Sequence, residues 1–238
     1  MIDLHCHILP GIDDGPAEMT SSVEMARAAL KEGITHIVAT PHVKSTIFPA
    51  GTVSQKISDL QNELNNHHIP ITILPGGEIF YLYHESPDVL KQFSINQTPY
   101  VLIEFPHSHL PKISETVVFN ILLLGFIPII AHPERNPSVI IQPDLISQII
   151  DKGALIQMTA GSITGYFGRE VQACSEYLIR KNRVHIMASD AHSPEARPVS
   201  FSQAFQKTKK LIGESAANRL FIENPSAILK GERVHVLA

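Results

Sequence analysis

The hydrophobic residues of this chain form short apolar runs that alternate with longer amphipathic stretches. The amphipathic stretches, such as residues 20–33, 52–67 and 168–182, place apolar side chains at the spacing of a helix. The apolar runs are rich in Val, Ile and Leu without strict alternation, which is typical of parallel strands covered on both faces. Seven runs are expected to be strands: residues 1–7, 36–42, 71–78, 100–105, 126–134, 154–160 and 184–192.

This order of elements predicts an α/β fold. Helical sequence separates each expected strand from the next, and this arrangement favours a distorted (β/α)7 barrel of the TIM type with one unit fewer than eight. An open doubly wound sheet is the alternative. No linker, low-complexity tract or fixed-period repeat divides the 238 residues, so a single domain is expected over residues 1–238.

Composition narrows the function classes. The chain is 44% hydrophobic and 18% charged, as globular proteins are, and its formal charge of −4 argues against a nucleic-acid partner. The longest apolar stretch, residues 121–131, is too short to span a bilayer and contains Gly125 and Pro128, so no membrane insertion is expected. No secretory signal is evident and there are only two cysteines, which predicts a cytoplasmic location.

Histidine is the unusual residue type, and most of the informative histidines stand at strand ends. In a parallel barrel the carboxyl ends of the strands converge on one face, so side chains at those ends are expected to surround one cavity. Asp13 and Asp14 lie in the loop "GIDDGP", which can fold over the same mouth, and either could contribute a carboxylate. The metal-competent residues at the strand ends are His5, His7, His42, Glu78, Glu104, His132, Asp190 and His192.

The first strand provides a local test of this idea. Residues two apart on a strand point the same way, so His5 and His7 are expected to project together into the barrel. The same alternation predicts that Leu4 and Cys6 face the helices.

Other histidines are expected to have different roles. His107 and His109 follow Glu104 in a loop and could line the rim of the cavity. Those expected to be structural or solvated are His36, His67, His68, His185 and His235.

The ligand types indicate which chemistry the cavity could support. Imidazoles and carboxylates without thiolates suit manganese, iron or catalytic zinc, and nine candidates exceed what one ion needs. Clustered ions activate a bridging water and hold both oxygens of an in-line displacement, which is phosphoester hydrolysis. Arg135 lies three residues after His132 and suits a phosphate; Arg197 and Arg169 are weaker candidates for the same role.

One pattern points to a different chemistry. Cys174 and Arg180 have the spacing of thiol-based tyrosine phosphatases. That chemistry needs a loop of backbone amides around the phosphate, whereas the residues between them are helix formers without glycine. Cys174 is therefore expected to be a buried helix residue.

The ordered motifs "DLHCH", "DDGP", "TPH", "GGEIFY", "LIEF", "AHPER" and "ASDAH" resemble the polymerase-and-histidinol-phosphatase (PHP) superfamily. Within it, they are similar to the bacterial metal-dependent tyrosine phosphatases of capsule and exopolysaccharide loci. The resemblance covers residues 1 to about 225. It implies a distorted seven-stranded PHP barrel with two or three metal ions, most often Mn²⁺, with iron, zinc or magnesium as alternatives.

The resemblance also implies a role for each candidate. Arg135 would fix the phosphate and act with Asp14 and His42 in catalysis. Glu78 would bridge two ions. The three implied ligand sets are His5, His7, Glu78 and Asp190 for the first ion, Glu78, Glu104 and His132 for the second, and Asp14, His42 and His192 for the third.

The implied activity is hydrolysis of phosphotyrosine on a bacterial tyrosine kinase, by direct attack of a metal-bound hydroxide, in the regulation of capsular or exopolysaccharide synthesis. A histidinol-phosphatase-like enzyme or another small-molecule phosphoesterase on the same fold is the alternative. A nuclease and a metal-sensing barrel without turnover are more distant alternatives.

Overall fold

The computed structural model describes residues 1–44, 48–49 and 51–234, so His235 lies outside the described residues. Every expected strand region contains at least one strand. The strands are β1 Ile2–Cys6, β2 His36–Ala39, β3 His42–Val43, β4 Thr72–Pro75, β5 Glu78–Phe80, β6 Tyr100–Glu104, β7 Ile127–Ala131, β8 Leu155–Thr159 and β9 Ile186–Ala188.

Two of the expected strands are each interrupted once: β2 and β3 are the halves of one, and β4 and β5 are the halves of the other. The interrupted strands lie side by side, because β2 pairs with β4 and β3 pairs with β5, both in parallel. Pro41 interrupts the first because proline has no N–H for the ladder. Gly76 and Gly77 interrupt the second, where an added Cβ would lie only 2.6 Å from Val38 and 2.8 Å from Phe93. With each interrupted strand counted once, the barrel has seven strands, here called staves, as the sequence predicts.

The staves close into a ring. The strands form two parallel sheets, with the orders β1-β2-β4 and β3-β5-β6-β7-β8-β9. A parallel bridge between Cys6 and Ala191 joins β1 to the segment after β9. The His7 N–H donates to the Ala191 carbonyl at 2.9 Å, and the Asp190 N–H donates to the His5 carbonyl at 2.8 Å. The predicted barrel is thus confirmed, and the open sheet is excluded because both sheet edges are paired.

The helices surround this barrel, and the described residues hold no helix that is long and apolar enough to cross a membrane. Two short helices, Pro137–Ile141 and Ala160–Thr164, were not expected from the hydrophobic pattern. The helices are α1 Met19–Lys31, α2 Thr52–Asn66, α3 Pro87–Gln92, α4 Ser114–Leu123, α5 Pro137–Ile141, α6 Leu145–Asp151, α7 Ala160–Thr164, α8 Arg169–Arg180, α9 Phe201–Ile212, α10 Glu214–Asn218 and α11 Asn224–Leu229.

The barrel interior contains one apolar layer to which every stave contributes a side chain. Tyr100 closes this layer at the amino-terminal ends of the strands, where its hydroxyl donates to the Glu232 carbonyl at 2.8 Å. A filled interior of this kind leaves the opposite, carboxyl-terminal ends free to carry polar groups. The layer consists of Leu4, Val38, Leu74, Leu102, Ile129, Leu155 and Ile186.

The expected orientation of Leu4 is wrong. Cys6 packs in the outer core between strands and helices, but Leu4 belongs to the inner layer. The register between β1 and β2 shifts between Asp3 and Cys6, so the simple alternation of strand residues fails there. As a result Leu4 and His5 both face the barrel interior.

Buried Asp3 holds this irregularity in place. Its carboxylate accepts the Ser189 N–H at 2.9 Å and the His5 N–H at 3.3 Å. The bulge is therefore fastened to the stave that closes the ring.

Candidate metal centre

All nine predicted ligands lie together at the carboxyl-terminal mouth of the barrel. They form four overlapping groups, and within each group the donor atoms lie within 4.8 Å of one another. The groups are His5–His7–Asp190, His5–Glu78–His132, His42–Glu78–Glu104 and His7–Asp14–His42–His192.

Glu78 is the centre of the cluster. Its carboxylate lies 2.7 Å from His42 Nδ1, 2.8 Å from His132 Nε2, 3.4 Å from His7 Nε2 and 3.5 Å from His5 Nε2. The side chain is fully buried. Burial alone would raise the pKa of Glu78, but the charge of His5 and the hydrogen bonds from the imidazoles hold it well below its usual value.

Asp190 connects the imidazoles to two arginines. Its Oδ1 lies 3.3 Å from His5 Nε2 and 3.5 Å from His7 Nε2. Its Oδ2 accepts a hydrogen bond from Arg135 Nη1 at 2.6 Å and another from Arg197 Nη2. Burial opposes ionisation here too, yet His5, His7 and then Arg135 hold the pKa of Asp190 well below its usual value.

The two adjacent aspartates of the first loop have different positions. Asp14 Oδ1 lies 3.3 Å from His42 Nε2 and 3.4 Å from His192 Nε2, within the donor cluster. Asp13 instead accepts hydrogen bonds from His7 Nδ1 at 2.7 Å and from the His42 N–H at 3.1 Å. The geometry therefore places Asp14 within the donor cluster, whereas Asp13 lies behind it and orients the His7 ring.

Glu104 lies at one side of the cluster. Its Oε2 is 3.9 Å from His42 Nδ1 and 2.9 Å from Lys44 Nζ, and its Oε1 is 3.1 Å from His107 Nε2. The sequence did not predict the contact between Lys44 and Glu104, although the position of Lys44 two residues after His42 could have indicated it. His107 lies at the rim, as the loop suggested. Burial would raise the pKa of Glu104, but the His107 hydrogen bond and Lys44 help to lower it.

His132 follows β7 with a positive φ of 35°, and a short 3₁₀ turn then carries Arg135. Burial, and then the charge of Arg135, lowers the pKa of His132 to about 4, so its imidazole is neutral.

Glu134 anchors the turn that carries Arg135: it is fully buried and accepts the Thr159 N–H at 3.0 Å and the Ser162 hydroxyl at 2.6 Å. Glu134 was not predicted to have a role.

The two first histidines present the same ring nitrogen to the cavity. His5 Nδ1 lies 2.9 Å from Gln157 Oε1, and His7 Nδ1 lies 2.7 Å from Asp13 Oδ2. Since each oxygen accepts a proton, Nδ1 is the donor and Nε2 is the atom left for a ligand role. The two Nε2 atoms are 3.2 Å apart. The sequence did not predict the contact that Gln157 makes with His5.

The donor set fits a cation. His42 Nδ1, Glu78 Oε2 and Glu104 Oε2 are buried, and none of them has a partner at hydrogen-bonding angles among the described residues, although His42 Nδ1 lies 2.7 Å from Glu78 Oε2 and Lys44 Nζ lies 2.9 Å from Glu104 Oε2. Buried polar atoms are normally satisfied, and these three belong to one donor group. Imidazole nitrogens and carboxylate oxygens are the ligands of manganese, iron and catalytic zinc sites.

The three candidate arginines divide into two at the site and one away from it. Arg135 and Arg197 converge on Asp190, although Arg197 had been the weaker candidate. Arg169 is exposed at the start of α8, and no hydrogen bond or ion pair links its side chain to another described residue.

Neither cysteine is suited to act as a nucleophile. Cys174 is buried in α8, as expected, and burial raises the pKa of its thiol to about 12. Cys6 is fully buried, and burial followed by the charge of Asp3 raises the pKa of its thiol well above the usual value. A thiolate, the reactive form, is therefore disfavoured at both positions.

Sequence comparison identifies related proteins along nearly the whole chain. Residues 1–230 match the family model described as capsular polysaccharide synthesis, CpsB/CapC. The chain is 39% identical over 239 residues to the tyrosine-protein phosphatase YwqE of Bacillus subtilis (strain 168), and the match covers 98% of this chain and 93% of the relative.

Structural comparison finds both near and distant relatives. The chain matches a structure from a study of YwqE from Bacillus subtilis and CpsB from Streptococcus pneumoniae, described as unique metal-dependent tyrosine phosphatases. The TM-score is 0.94 at 38% identity, covering 100% of this chain and 97% of the other. A histidinol phosphate phosphatase from Lactococcus lactis has a TM-score of 0.55 at 12% identity, covering 93% of this chain and 96% of the other, which is a likeness of fold alone.

Proposed function

Because this chain belongs to the CpsB/CapC family of capsular polysaccharide synthesis proteins, we propose that it is a metal-dependent protein-tyrosine phosphatase, acting as one domain over residues 1–238. The observation that carries this proposal is the convergence of nine imidazole and carboxylate ligands beside two arginines at the barrel mouth. The imidazoles and carboxylates would supply metal ligands, and the two arginines would supply partners for a phosphate.

We assign the ligands by the groups in which they lie. His5, His7 and Asp190, with Glu78, would hold one ion, and Asp14, His42 and His192 would hold another. Glu78 contacts both His5 and His132, which supports its role as a ligand shared between the first ion and a further ion that Glu104 and His132 would hold. Two or three ions per chain, with manganese as the favoured metal, suit this all-nitrogen and oxygen set. When bound, such ions supply a water activated at neutral pH and neutralise phosphate charge.

The arginines bind the phosphoryl group. A planar guanidinium matches the geometry of a phosphate, and two of them neutralise most of its charge. Arg135 and Arg197 approach the same side of Asp190, whose other oxygen faces His5 and His7. Phosphate bound by the arginines would therefore lie next to the donor cluster.

The leaving group favours a tyrosyl ester. A tyrosine phenolate has a pKa of about 10, so it departs with less proton donation than an alkoxide. Both thiols of the chain are buried, so we expect no phosphocysteine intermediate. Replacing Cys174 with serine therefore leaves the phosphatase activity intact.

The substrate that we propose is phosphotyrosine on a bacterial tyrosine kinase of the same polysaccharide system. The relative's name, tyrosine-protein phosphatase, supports phosphotyrosine as the substrate, and the family description, capsular polysaccharide synthesis, supports this system as its setting. The two free cysteines suit a reducing, cytoplasmic compartment. Hydrolysis of the phosphoester would then regulate capsular or exopolysaccharide synthesis.

Side-by-side rates test the proposal. The purified chain is assayed on a phosphotyrosyl peptide, on the same peptide with phosphoserine and on histidinol phosphate, before and after exhaustive chelation. We expect the phosphotyrosyl peptide to be hydrolysed fastest, activity to vanish on chelation and Mn²⁺ to restore it. Faster hydrolysis of histidinol phosphate would instead support the small-molecule alternative, and full activity after chelation would exclude a metal mechanism.

A further inference from the structure

An aromatic ring lies beneath both arginines of the site. The guanidinium carbon of Arg135 is 4.8 Å from the centroid of the Phe167 ring, and that of Arg197 is 5.7 Å from it. Arg135 comes from the turn after β7 and Arg197 from the loop after β9. Phe167 comes from a third segment, the short loop between α7 and α8, so one ring contacts cations from two separate segments.

The loop that carries Phe167 has a defined backbone. Gly165 and Gly168 bracket it with positive φ values of 93° and 96°, which glycine adopts at little cost because it has no Cβ. The Tyr166 N–H donates to the Gly161 carbonyl at 2.9 Å, and the Gly168 N–H donates to the Gly165 carbonyl at 3.1 Å. These bonds fix the position from which Phe167 projects.

The loop is also tied to the segment that carries Arg197. The Tyr166 hydroxyl donates to the Ala196 carbonyl, and the Arg197 N–H donates to the Ser193 hydroxyl at 3.0 Å. Tyr166 packs edge-on against Phe167 with their centroids 4.9 Å apart. The ring and one of its two arginines therefore belong to a single hydrogen-bonded unit.

Two guanidinium groups that share one carboxylate oxygen repel each other, and each has a long flexible stem. An aromatic face attracts both cations and limits where their planar groups can lie. Contact with the Phe167 ring would keep the two guanidinium groups side by side, whether Asp190 or a phosphate accepts their hydrogen bonds.

We propose that Phe167 is a positioning residue that holds Arg135 and Arg197 side by side for the phosphoryl group of the substrate. This inference rests on the proposed function, since it assumes that the two arginines receive the phosphate. Phe167 acts through the arginines and does not itself touch the reacting atoms. The alternative is that Phe167 only fills space next to Gly161. The test must therefore measure a property that a change in packing alone would not alter.

Binding of inorganic phosphate to the manganese-loaded chain provides that readout. We expect Phe167→Leu, which keeps an apolar side chain but removes the ring face, to weaken phosphate binding by about 3- to 30-fold. Phe167→Trp restores a face and keeps binding within about twofold of the original chain. Phe119→Leu, the same change at an exposed position on α4, is the matched control and leaves binding unchanged.

Steady-state rates on the phosphotyrosyl peptide separate binding from chemistry. We expect Phe167→Leu to raise KM by more than it lowers kcat, because misplaced arginines still neutralise charge once the phosphate is bound. In an Arg135→Lys background the further effect of Phe167→Leu becomes smaller, since the ring has lost one of its guanidinium partners.

A second variant tests the position of the ring without removing it. A Cβ added at Gly161 would lie 3.1 Å from Phe167 Cε2, a contact tight enough that in Gly161→Ala the ring has to shift slightly away from residue 161. We expect it to weaken phosphate binding in the same direction as Phe167→Leu, with metal content and thermal midpoint measured in parallel.

Unchanged phosphate binding in a folded, metal-loaded Phe167→Leu chain would overturn the inference. Equal losses in Phe167→Leu and Phe167→Trp would also overturn it, because they would show that shape matters and the aromatic face does not. Should Phe167→Leu fail to fold, Gly161→Ala decides by the same criterion. Absence of phosphotyrosine hydrolysis by the unmodified chain would refute the proposed function alone, since phosphate binding would still test whether Phe167 positions the two arginines.

Discussion

His185 provides a quantitative prediction that is independent of the metal centre. It precedes β9 and is almost fully buried. Its Nδ1 accepts the Ile156 N–H at 3.0 Å, and its carbonyl accepts the Asn224 amide at 2.7 Å. Since Nδ1 is an acceptor, the neutral ring carries its proton on Nε2. A second proton would have to displace the Ile156 hydrogen bond and would place a charge near Arg183.

The sign and size of the effect follow from the shift in pKa. Burial, and then the charge of Arg183, lowers the pKa of His185 from 6.5 to about 4. Because the folded value is the lower one, the unfolded chain binds the proton more readily as the pH falls. The contribution to the free energy of unfolding is therefore complete above pH 6.5 and is lost towards pH 4. A shift of this size corresponds to about 3 kcal/mol in total, of which about 2 kcal/mol is lost by pH 5.

The assay compares the chain with a His185→Asn variant, because the asparagine oxygen can take the place of Nδ1 without titrating. Urea unfolding is followed by circular dichroism, since the chain has no tryptophan, with a chelator present at pH 7.5 and at pH 5.0. We expect the difference in unfolding free energy between the two chains to move by about 2 kcal/mol in favour of the variant on acidification. Taking the difference removes the titration of the metal ligands, which both chains share.

His68→Asn is the matched control, because His68 is exposed and its φ of 54° suits asparagine. That variant is expected to keep a constant offset from the original chain at both pH values. The reasoning about His185 would be refuted if the pH dependences of the original chain and His185→Asn were parallel.

Three further predictions concern the metal centre. Asp13→Asn weakens Mn²⁺ binding by about 10- to 100-fold, because the charged acceptor of His7 Nδ1 is lost; isothermal titration calorimetry measures this, and unchanged affinity would contradict the orienting role. Gln157→Leu has an effect in the same range through His5, whereas Gln157→Glu keeps an acceptor and retains binding, so equal losses in both variants would contradict the hydrogen-bond argument. Chelation lowers the thermal midpoint and Mn²⁺ restores it, because the ions bind the folded chain; a midpoint that does not depend on metal would argue against a preformed site.

The sequence by itself determined the architecture and most of the ligand set. Apolar, β-branched runs separated by helical sequence specify parallel strands, and their number corresponds to the staves of the closed barrel. The members of the donor cluster could be predicted because the carboxyl ends of parallel strands meet, so residues as distant as His5, His132 and Asp190 become neighbours by topology alone. The family motifs depend on these same strand ends.

Only the tertiary structure decided how the site is supported. Asp13 and Asp14 are adjacent in the chain and chemically identical, and their roles differ because one reaches His7 and the other reaches His42 and His192. Leu4 faces inward because of a register shift that depends on pairing with a strand more than thirty residues away. Neighbours such as Gln157 and Phe167 belong to other staves and loops, and no local pattern marks them. Sequence periodicity reports which face of an element is buried, whereas the partner across a contact is fixed only when separate elements pack together.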